Sequence, residues 1–196
     1  MIKRLFDIIF SALGLILLLP LLLLIAILLK LESKGPVFYK QVRVGHNSTD
    51  FKIFKFRTMF VGSDKKGLLT VGDRDPRVTK TGYFLRKYKL DELPQLINVI
   101  IGNMSFVGPR PEVRKYVSLY SKSDLEILTV KPGITDYASI VFRDEAELLK
   151  TAKKPEELYI NEIMPRKIAL NKQYIDNHSI LVDIRIIFKT IKTIIS

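Results

Sequence analysis

Residues 12–29 contain no charged or strongly polar side chain. A run of about 18 such residues reaches the length that marks a candidate membrane segment. A helix that is apolar all round has no polar face to offer water. A cleaved signal peptide is the rival reading, since Lys3 and Arg4 precede the run. The run is long for the apolar part of a signal peptide, however, and it ends in Lys30-Leu31-Glu32-Ser33-Lys34 with no small-residue cleavage site. Basic residues stand on both sides of it, Lys3 and Arg4 before and Lys30, Lys34, Lys40 and Arg43 after. A straight span would put positive charge on both faces of the bilayer, against the usual cytoplasmic bias. Pro20 sits mid-run, where it removes one backbone hydrogen bond and can bend the helix until both ends return to the cytoplasmic leaflet. The pattern predicts a re-entrant membrane helix hairpin over residues 1–34, bent at Pro20, and a compact cytoplasmic domain over 35–196. A straight span is the alternative.

The chain carries 32 Lys and Arg against 20 Asp and Glu, a net charge of +12 that favours anionic partners: nucleic acid, anionic lipid or phosphorylated substrates. Nucleic acid is disfavoured, because the positive residues are scattered and no recognisable binding module is present. Cysteine is absent and the only histidines are His46 and His178, which excludes disulfides, thiolate zinc sites and a histidine-rich metal centre. The metal compatible with this inventory is a hard cation, Mg²⁺ with Mn²⁺ as a substitute, held by carboxylate and substrate phosphate oxygens.

The chemistry concentrates between residues 90 and 111. Asp91 and Glu92 precede a helical pattern formed by Leu93, Leu96, Ile97, Ile100 and Ile101. They therefore fall at a helix N-terminus, where Pro94 is tolerated in the first turn and the dipole favours anions. Either carboxylate suits a nucleophile or a metal ligand; as a common helix cap the pair is also simply structural. Arg110 lies between Pro109 and Pro111, and the following proline confines it to extended geometry, presenting its fork with little backbone freedom to lose.

The rest of the chain reads as α+β, mostly helical. Residues 37–44 and 51–57 are rich in β-branched and aromatic side chains around Gly45 and Asn47, as in a short hairpin whose second strand turns Lys55 and Arg57 to one face. Residues 61–81 are polar and glycine-rich, with turns at 73–76, as in a mobile surface loop. Further helices are expected over 112–129, ending before Pro132 and Gly133, and over 156–177, interrupted by Pro165. At the C-terminus Ile180, Ile184, Ile187, Ile191 and Ile194 keep helical spacing, with Arg185, Lys189 and Lys192 on the other side. That amphipathic helix suits packing on the core or lying in the membrane interface.

Five islands occur in order: Lys3-Arg4-Leu5-Phe6-Asp7, Gly35-Pro36-Val37-Phe38, Phe54-Lys55-Phe56-Arg57-Thr58-Met59, the 90–111 block, and Lys131-Pro132-Gly133-Ile134-Thr135. Over nearly the whole length this resembles the small monotopic phosphoglycosyl transferases, or bacterial sugar transferases. The resemblance implies transfer of a sugar 1-phosphate from a nucleotide sugar, usually a UDP-sugar, to a polyprenyl phosphate such as undecaprenyl phosphate, with release of UMP. This would be the initiating step of capsule, exopolysaccharide, O-antigen or glycoprotein glycan assembly, carried out at the cytoplasmic face of the bacterial inner membrane.

On this resemblance Asp91 is the nucleophile that forms a phosphosugar-aspartyl intermediate, and Asp91 and Glu92 bind Mg²⁺. Lys55, Arg57, Arg86, Arg143 and the Pro109-Arg110-Pro111 unit meet phosphate or nucleotide. Membrane lipid is a further partner, with a homodimer and downstream glycosyltransferases as candidates; nucleic acid is not one. The chain departs from the family twice. A serine commonly precedes the bend proline, where Leu19 stands here, and the string after Thr135 begins with Asp136 and Tyr137 in place of Gly-Trp. The alternatives from other classes are a membrane-anchored basic scaffold and a nucleic-acid binder without catalysis.

Overall fold

The computed structural model describes residues 2–63, 67, 69–72 and 75–195. The apolar run forms one helix, α1 (Ile2–Glu32), with an exposed Pro20 inside it, rather than two helices joined by a loop. It is long and apolar enough to cross a membrane by length and composition. At 1.5 Å per residue, its 31 residues extend about 46 Å.

Both ends of α1 are fastened to the rest of the protein. In the first turns Lys3 pairs with Asp183 and donates to the Val107 carbonyl at 3.2 Å. Arg4 donates to the Val99 and Ile100 carbonyls, and buried Asp7 accepts the Phe106 N–H at 3.2 Å. In the last turns Ile25 and Leu29 pack with Phe56 and Leu85. Arg57, expected in the phosphate site, is buried here instead: its guanidinium donates to the carbonyls of Leu29 (3.0 Å), Ser33 (2.8 Å) and Lys34 (3.0 Å). These carbonyls lie at and just past the end of α1, where the chain runs out of intrahelical donors and Leu29 has only the Ser33 N–H at 3.3 Å, and an arginine there also opposes the negative end of the dipole. Gly35, at φ +136°, makes room for it, since a Cβ would stand 2.0 Å from Nη1 of Arg57.

The hairpin forms as expected from β1 (Phe38–Val44) and β2 (Asp50–Phe56), antiparallel with Tyr39 opposite Lys55. Helix α2 (Lys80–Lys87) starts at Thr79, whose side chain accepts the Gly82 N–H. A 3₁₀ turn, Leu90–Glu92, leads through Pro94 into α3 (Gln95–Ile101), which ends at Gly102 with φ +99°. Strand β3 (Ser105–Val107) follows.

The single helix expected over 112–129 is instead α4 (Arg114–Val117) and a separate 3₁₀ stretch, Asp124–Thr129. Between them the Asp124 carboxylate accepts the Ser121 hydroxyl at 2.7 Å, a local side-chain bond of the kind that competes with a continuous helix. Strand β4 (Gly133–Thr135) then pairs parallel with β3. Helices α5 (Tyr137–Val141), α6 (Glu145–Thr151) and α7 (Pro155–Leu158) follow. Before α8 (Met164–Asn177) comes a π-helical turn, Tyr159–Ile163, so the interruption expected at Pro165 takes the form of a wider turn immediately upstream. The main core gathers here, around Tyr116, Phe142, Leu149, Tyr159 and Ile168.

The last helix, α9 (Ile180–Ile195), buries Asp183 and Ile186 against β3 and α8 and leaves Leu181, Phe188 and Ile191 exposed. Among the described residues the fold is thus mostly helical α+β with two small two-stranded sheets. The turn read at 73–76 lies partly outside the described residues. In the described part of that loop, Met59 and Val78 form a bridge and Asp75 pairs with Arg77 at 2.6 Å.

Candidate active site

Three elements converge on the Asp91–Glu92 pair. The first is α3, which carries the pair in the 3₁₀ turn at its start and buries both residues. The second is β2, held to α3 by Asn98: its side-chain oxygen accepts the Phe54 N–H at 2.9 Å and its amide donates to the Lys52 carbonyl at 2.8 Å. This clamp brings Lys55 over the pair, where Nζ donates to Glu92 Oε1 at 2.9 Å.

The third is the β3–β4 unit. The Gly108 N–H donates to the Thr135 carbonyl at 3.1 Å and the Gly133 N–H to the Pro109 carbonyl at 3.1 Å. A Cβ on Gly108 would lie 2.3 Å from the Lys131 carbonyl oxygen, and one on Gly133 would lie 2.2 Å from the Gly108 nitrogen. Only glycine permits so close an approach of two backbones. Two islands that stand apart in sequence are therefore one structural unit, and that unit aims Arg110. The Arg110 guanidinium bonds both oxygens of Glu92, Nη1 to Oε2 at 3.0 Å and Nη2 to Oε1. Pro109 and Pro111 are buried on either side of it.

The two carboxyls face different surroundings. Burial by itself would raise Glu92, but the charges of Arg110 and Lys55, together with the Arg110 hydrogen bonds, outweigh it and hold Glu92 well below the usual carboxylate range. Asp91 is pushed the other way, by burial first and by the negative charge of Glu92 second, against partial relief from Lys55 and Arg86. Among the described residues no hydrogen-bond donor bonds the Asp91 carboxylate. Burial likewise lowers Lys55, with Glu92 opposing. The result is one carboxylate fully engaged by cations beside one whose oxygens are open.

Of the other residues expected here, Arg86 lies on α2 and donates to Thr70 Oγ1 at 2.8 Å, near enough for its charge to act on Asp91. Arg143 is half-buried between α5 and α6, and among the described residues no hydrogen bond joins it to the pair. Arg57 stands away from the pair, at the end of α1.

Three supporting residues carried no assigned role in the sequence: Asn98, Arg43 and Glu112. Arg43 donates to the Pro111 carbonyl at 3.0 Å and to Glu112 at 3.3 Å, and Glu112 in turn accepts the Tyr159 hydroxyl at 2.5 Å. For Asn98 a signal existed, since an amide side chain amid Ile97, Val99 and Ile100 in a short helix conflicts with its surroundings unless it has specific partners.

No group of three or more His, Cys, Asp or Glu side chains that could hold a metal occurs among the described residues. Mg²⁺ does not require one, since it is commonly bound by one or two carboxylates with substrate phosphates and water completing the shell. The open carboxylate oxygens of Asp91, next to Glu92, are hard oxygen donors of the kind such an ion takes.

A buried carboxylate pair bracketed by cations, beside a helix long enough to enter a bilayer, is a site suited to phosphorylated substrates at a membrane. Comparison with known proteins agrees. The whole chain, residues 1–196, matches the family described as bacterial sugar transferase, and it belongs to that family. It is 39% identical over 195 residues to the UDP-glucose:undecaprenyl-phosphate glucose-1-phosphate transferase of Escherichia coli K12, covering 97% of this chain and 39% of that protein. It is likewise 39% identical over 198 residues to an Aeromonas hydrophila UDP-N-acetylgalactosamine-undecaprenyl-phosphate N-acetylgalactosaminephosphotransferase, covering 100% of this chain and 44% of that one. To the exopolysaccharide production protein ExoY of Rhizobium meliloti it is 36% identical over 209 residues, covering 99% of this chain and 85% of ExoY. The chain spans less than half the length of the first two relatives and most of the third.

Proposed function

We propose that this protein is a phosphoglycosyl transferase that moves a sugar 1-phosphate from a nucleotide sugar, with a UDP-sugar as the donor, to undecaprenyl or another polyprenyl phosphate. The observation that carries this reading is the contrast within the pair: Glu92 bound by Lys55 and Arg110, Asp91 buried with open oxygens. An Asp91 oxygen attacks the sugar-bearing phosphorus of the diphosphate. A P–O bond forms to Asp91, the bond to the bridging oxygen breaks, and the nucleoside monophosphate leaves with the electron pair. The carrier phosphate then attacks the same phosphorus and breaks the aspartyl P–O bond, giving the polyprenyl diphosphate sugar and restoring Asp91. Splitting the reaction in this way spares the site from holding two anionic substrates at once.

Arg110 and Lys55 stabilise the charge spread over the phosphoryl oxygens, with Arg86 adding field from α2. Glu92 keeps the two cations in place between turnovers. Mg²⁺, held by Asp91 and Glu92 together with substrate phosphate, would supply further neutralisation of the diphosphate.

The reading of how the protein sits at a membrane rests on α1. Its first turn is tied to α3, β3 and α9 and its last turn to β2, all parts of one domain. A straight span would separate those ends across the bilayer, whereas insertion from one leaflet keeps them together, which supports a monotopic reading; the basic residues at both ends of α1 favour the cytoplasmic face for the catalytic domain. The exposed Leu181, Phe188 and Ile191 of α9, interspersed with Arg185, Lys189 and Lys192, suit the interface of that same leaflet. The reaction so placed starts assembly of an exopolysaccharide or a related glycan.

The test is a panel of UDP-sugars with undecaprenyl phosphate, read by UMP release. Donor alone should leave a labile phosphosugar mass on Asp91, and Asp91→Asn should abolish both adduct and turnover while the protein stays folded. Normal turnover by Asp91→Asn would overturn the mechanism.

A further inference from the structure

Between two prolines, Arg110 carries the one backbone N–H of residues 109–111. That N–H donates to Oδ2 of Asp136 at 3.0 Å. Asp136 is completely buried, follows directly on β4, and caps α5, its Oδ1 accepting the Ser139 N–H at 2.6 Å. A single carboxylate thus joins the segment leaving β3 to the segment leaving β4 and to the start of α5. A helix cap alone would use one oxygen, for which serine or asparagine would serve. The second oxygen is committed to the main chain of the arginine that faces Glu92.

We propose that Asp136 is the positioning residue for Arg110 in phosphoryl transfer. This rests on the reading of Arg110 as a ligand of the donor diphosphate. For that role the guanidinium has to leave Glu92 and turn to phosphate. The bond to Asp136 holds the Arg110 backbone while the side chain exchanges partners, so the fork meets the diphosphate from a fixed origin. A carboxylate acceptor suits the task because a charge-assisted bond to a backbone N–H is stronger than a neutral one. It also places negative charge behind the arginine that stays there when Glu92 is released.

The cap and the positioning role separate in Asp136→Ser, which keeps a capping hydroxyl too short to reach Arg110 as well. Hydrogen exchange gives a readout independent of catalysis: Pro109 and Pro111 have no amide hydrogen, so exchange from that tripeptide belongs to Arg110 alone. In the full-length protein in detergent or nanodiscs, Asp136→Ser is expected to fold with a lowered melting temperature, since the Arg110 N–H loses its partner, and to lose protection at the Arg110 amide. Its donor KM should rise about tenfold with kcat changed less, the pattern of lost ground-state and transition-state binding together.

If Asp136→Ser does not fold, the isosteric Asp136→Asn carries the test. Its amide offers one acceptor, to Arg110 or to Ser139, and donor KM should rise only if the Arg110 amide loses protection. A protected Arg110 amide in Asp136→Ser, or an unprotected one with unchanged donor KM, overturns the assignment. Absence of UMP release from the wild-type protein would instead overturn the transferase reading, while the exchange measurement still reports on the Asp136–Arg110 bond.

Discussion

The Arg110 guanidinium grips both carboxylate oxygens of Glu92, one member of the carboxylate pair. A two-point grip of this kind depends on the planar fork, which lysine lacks. Arg110→Lys should therefore raise the donor KM by about tenfold or more while leaving the protein folded, and Arg110→Glu should be worse still. Steady-state UMP release measures both, and an unaffected lysine variant would remove the two-point role.

The opposite pKa shifts within the pair predict the pH response. With Asp91 raised, first by burial and then by Glu92, activity should rise with pH through a value above the ordinary aspartate range, about 3.9. Glu92→Gln removes the neighbouring negative charge and leaves Lys55 and Arg110 to act on Asp91, so the Asp91 titration should move to lower pH. Carbon-13 NMR of labelled aspartate carboxyls reads this without requiring turnover; an upward move would contradict the electrostatic account. For stability the signs are opposite. The raised Asp91 favours the fold while protonated, a contribution lost as pH rises through its folded value. The depressed Glu92 favours the fold above the ordinary carboxylate range, and that contribution is lost as pH falls through its folded value.

Asn98→Ala should destabilise the protein by about 2 kcal/mol, because it leaves the Phe54 N–H and the Lys52 carbonyl without their partner and an unmet buried group costs about 1–3 kcal/mol. Since Asn98 also sets the distance of Lys55 from Glu92, kcat should fall with it. A drop in melting temperature with unchanged kcat would separate the two effects and confine Asn98 to stability.

Metal dependence is expected to follow the oxygen-only donor set. EDTA should stop UMP release and Mg²⁺ or Mn²⁺ should restore it, with Zn²⁺ ineffective because neither thiolate nor a histidine cluster is available. Direct titration with Mn²⁺, followed by its paramagnetic broadening of signals near Asp91, gives a second readout. Full activity in excess EDTA would exclude the ion.

Topology can be read with single cysteines, since the native chain has none. Ile2 and Lys34 are exposed at the two ends of α1. Cysteines placed at both should react with an impermeant thiol reagent from the cytoplasmic side. Reaction of residue 2 from the opposite side alone would establish a span and discard monotopic insertion.

What the sequence disclosed was mainly what local pattern determines. The apolar run, the hairpin, and the adjacency of Asp91 and Glu92 ahead of a helix follow from periodicity and turn chemistry, and all appear in the fold. Arg57 shows where that reasoning stops. Strand alternation put it on a face with Lys55, but whether a cation meets phosphate or a helix end depends on what the tertiary fold brings opposite, here the last carbonyls of α1. The meeting of Gly108 and Gly133 is equally non-local: each glycine looks like a turn residue until the other is set against it. The break in the helix expected over 112–129 was written in Ser121 and Asp124, whose side chains compete with the backbone.

The attachment of α1 at both of its ends bears on how this protein can be handled. Trimming residues 1–34 to obtain a soluble fragment would strip Arg4 from the C-terminal carbonyls of α3 and Asp7 from the Phe106 N–H, and would take away the carbonyls that the Arg57 guanidinium meets. It would also uncover Phe56 and Leu85, which pack against Ile25 and Leu29, as apolar surface facing water. The hydrophobic helix is therefore one wall of the fold as well as its most apolar surface, and any preparation of the protein has to keep wall and body together as one piece.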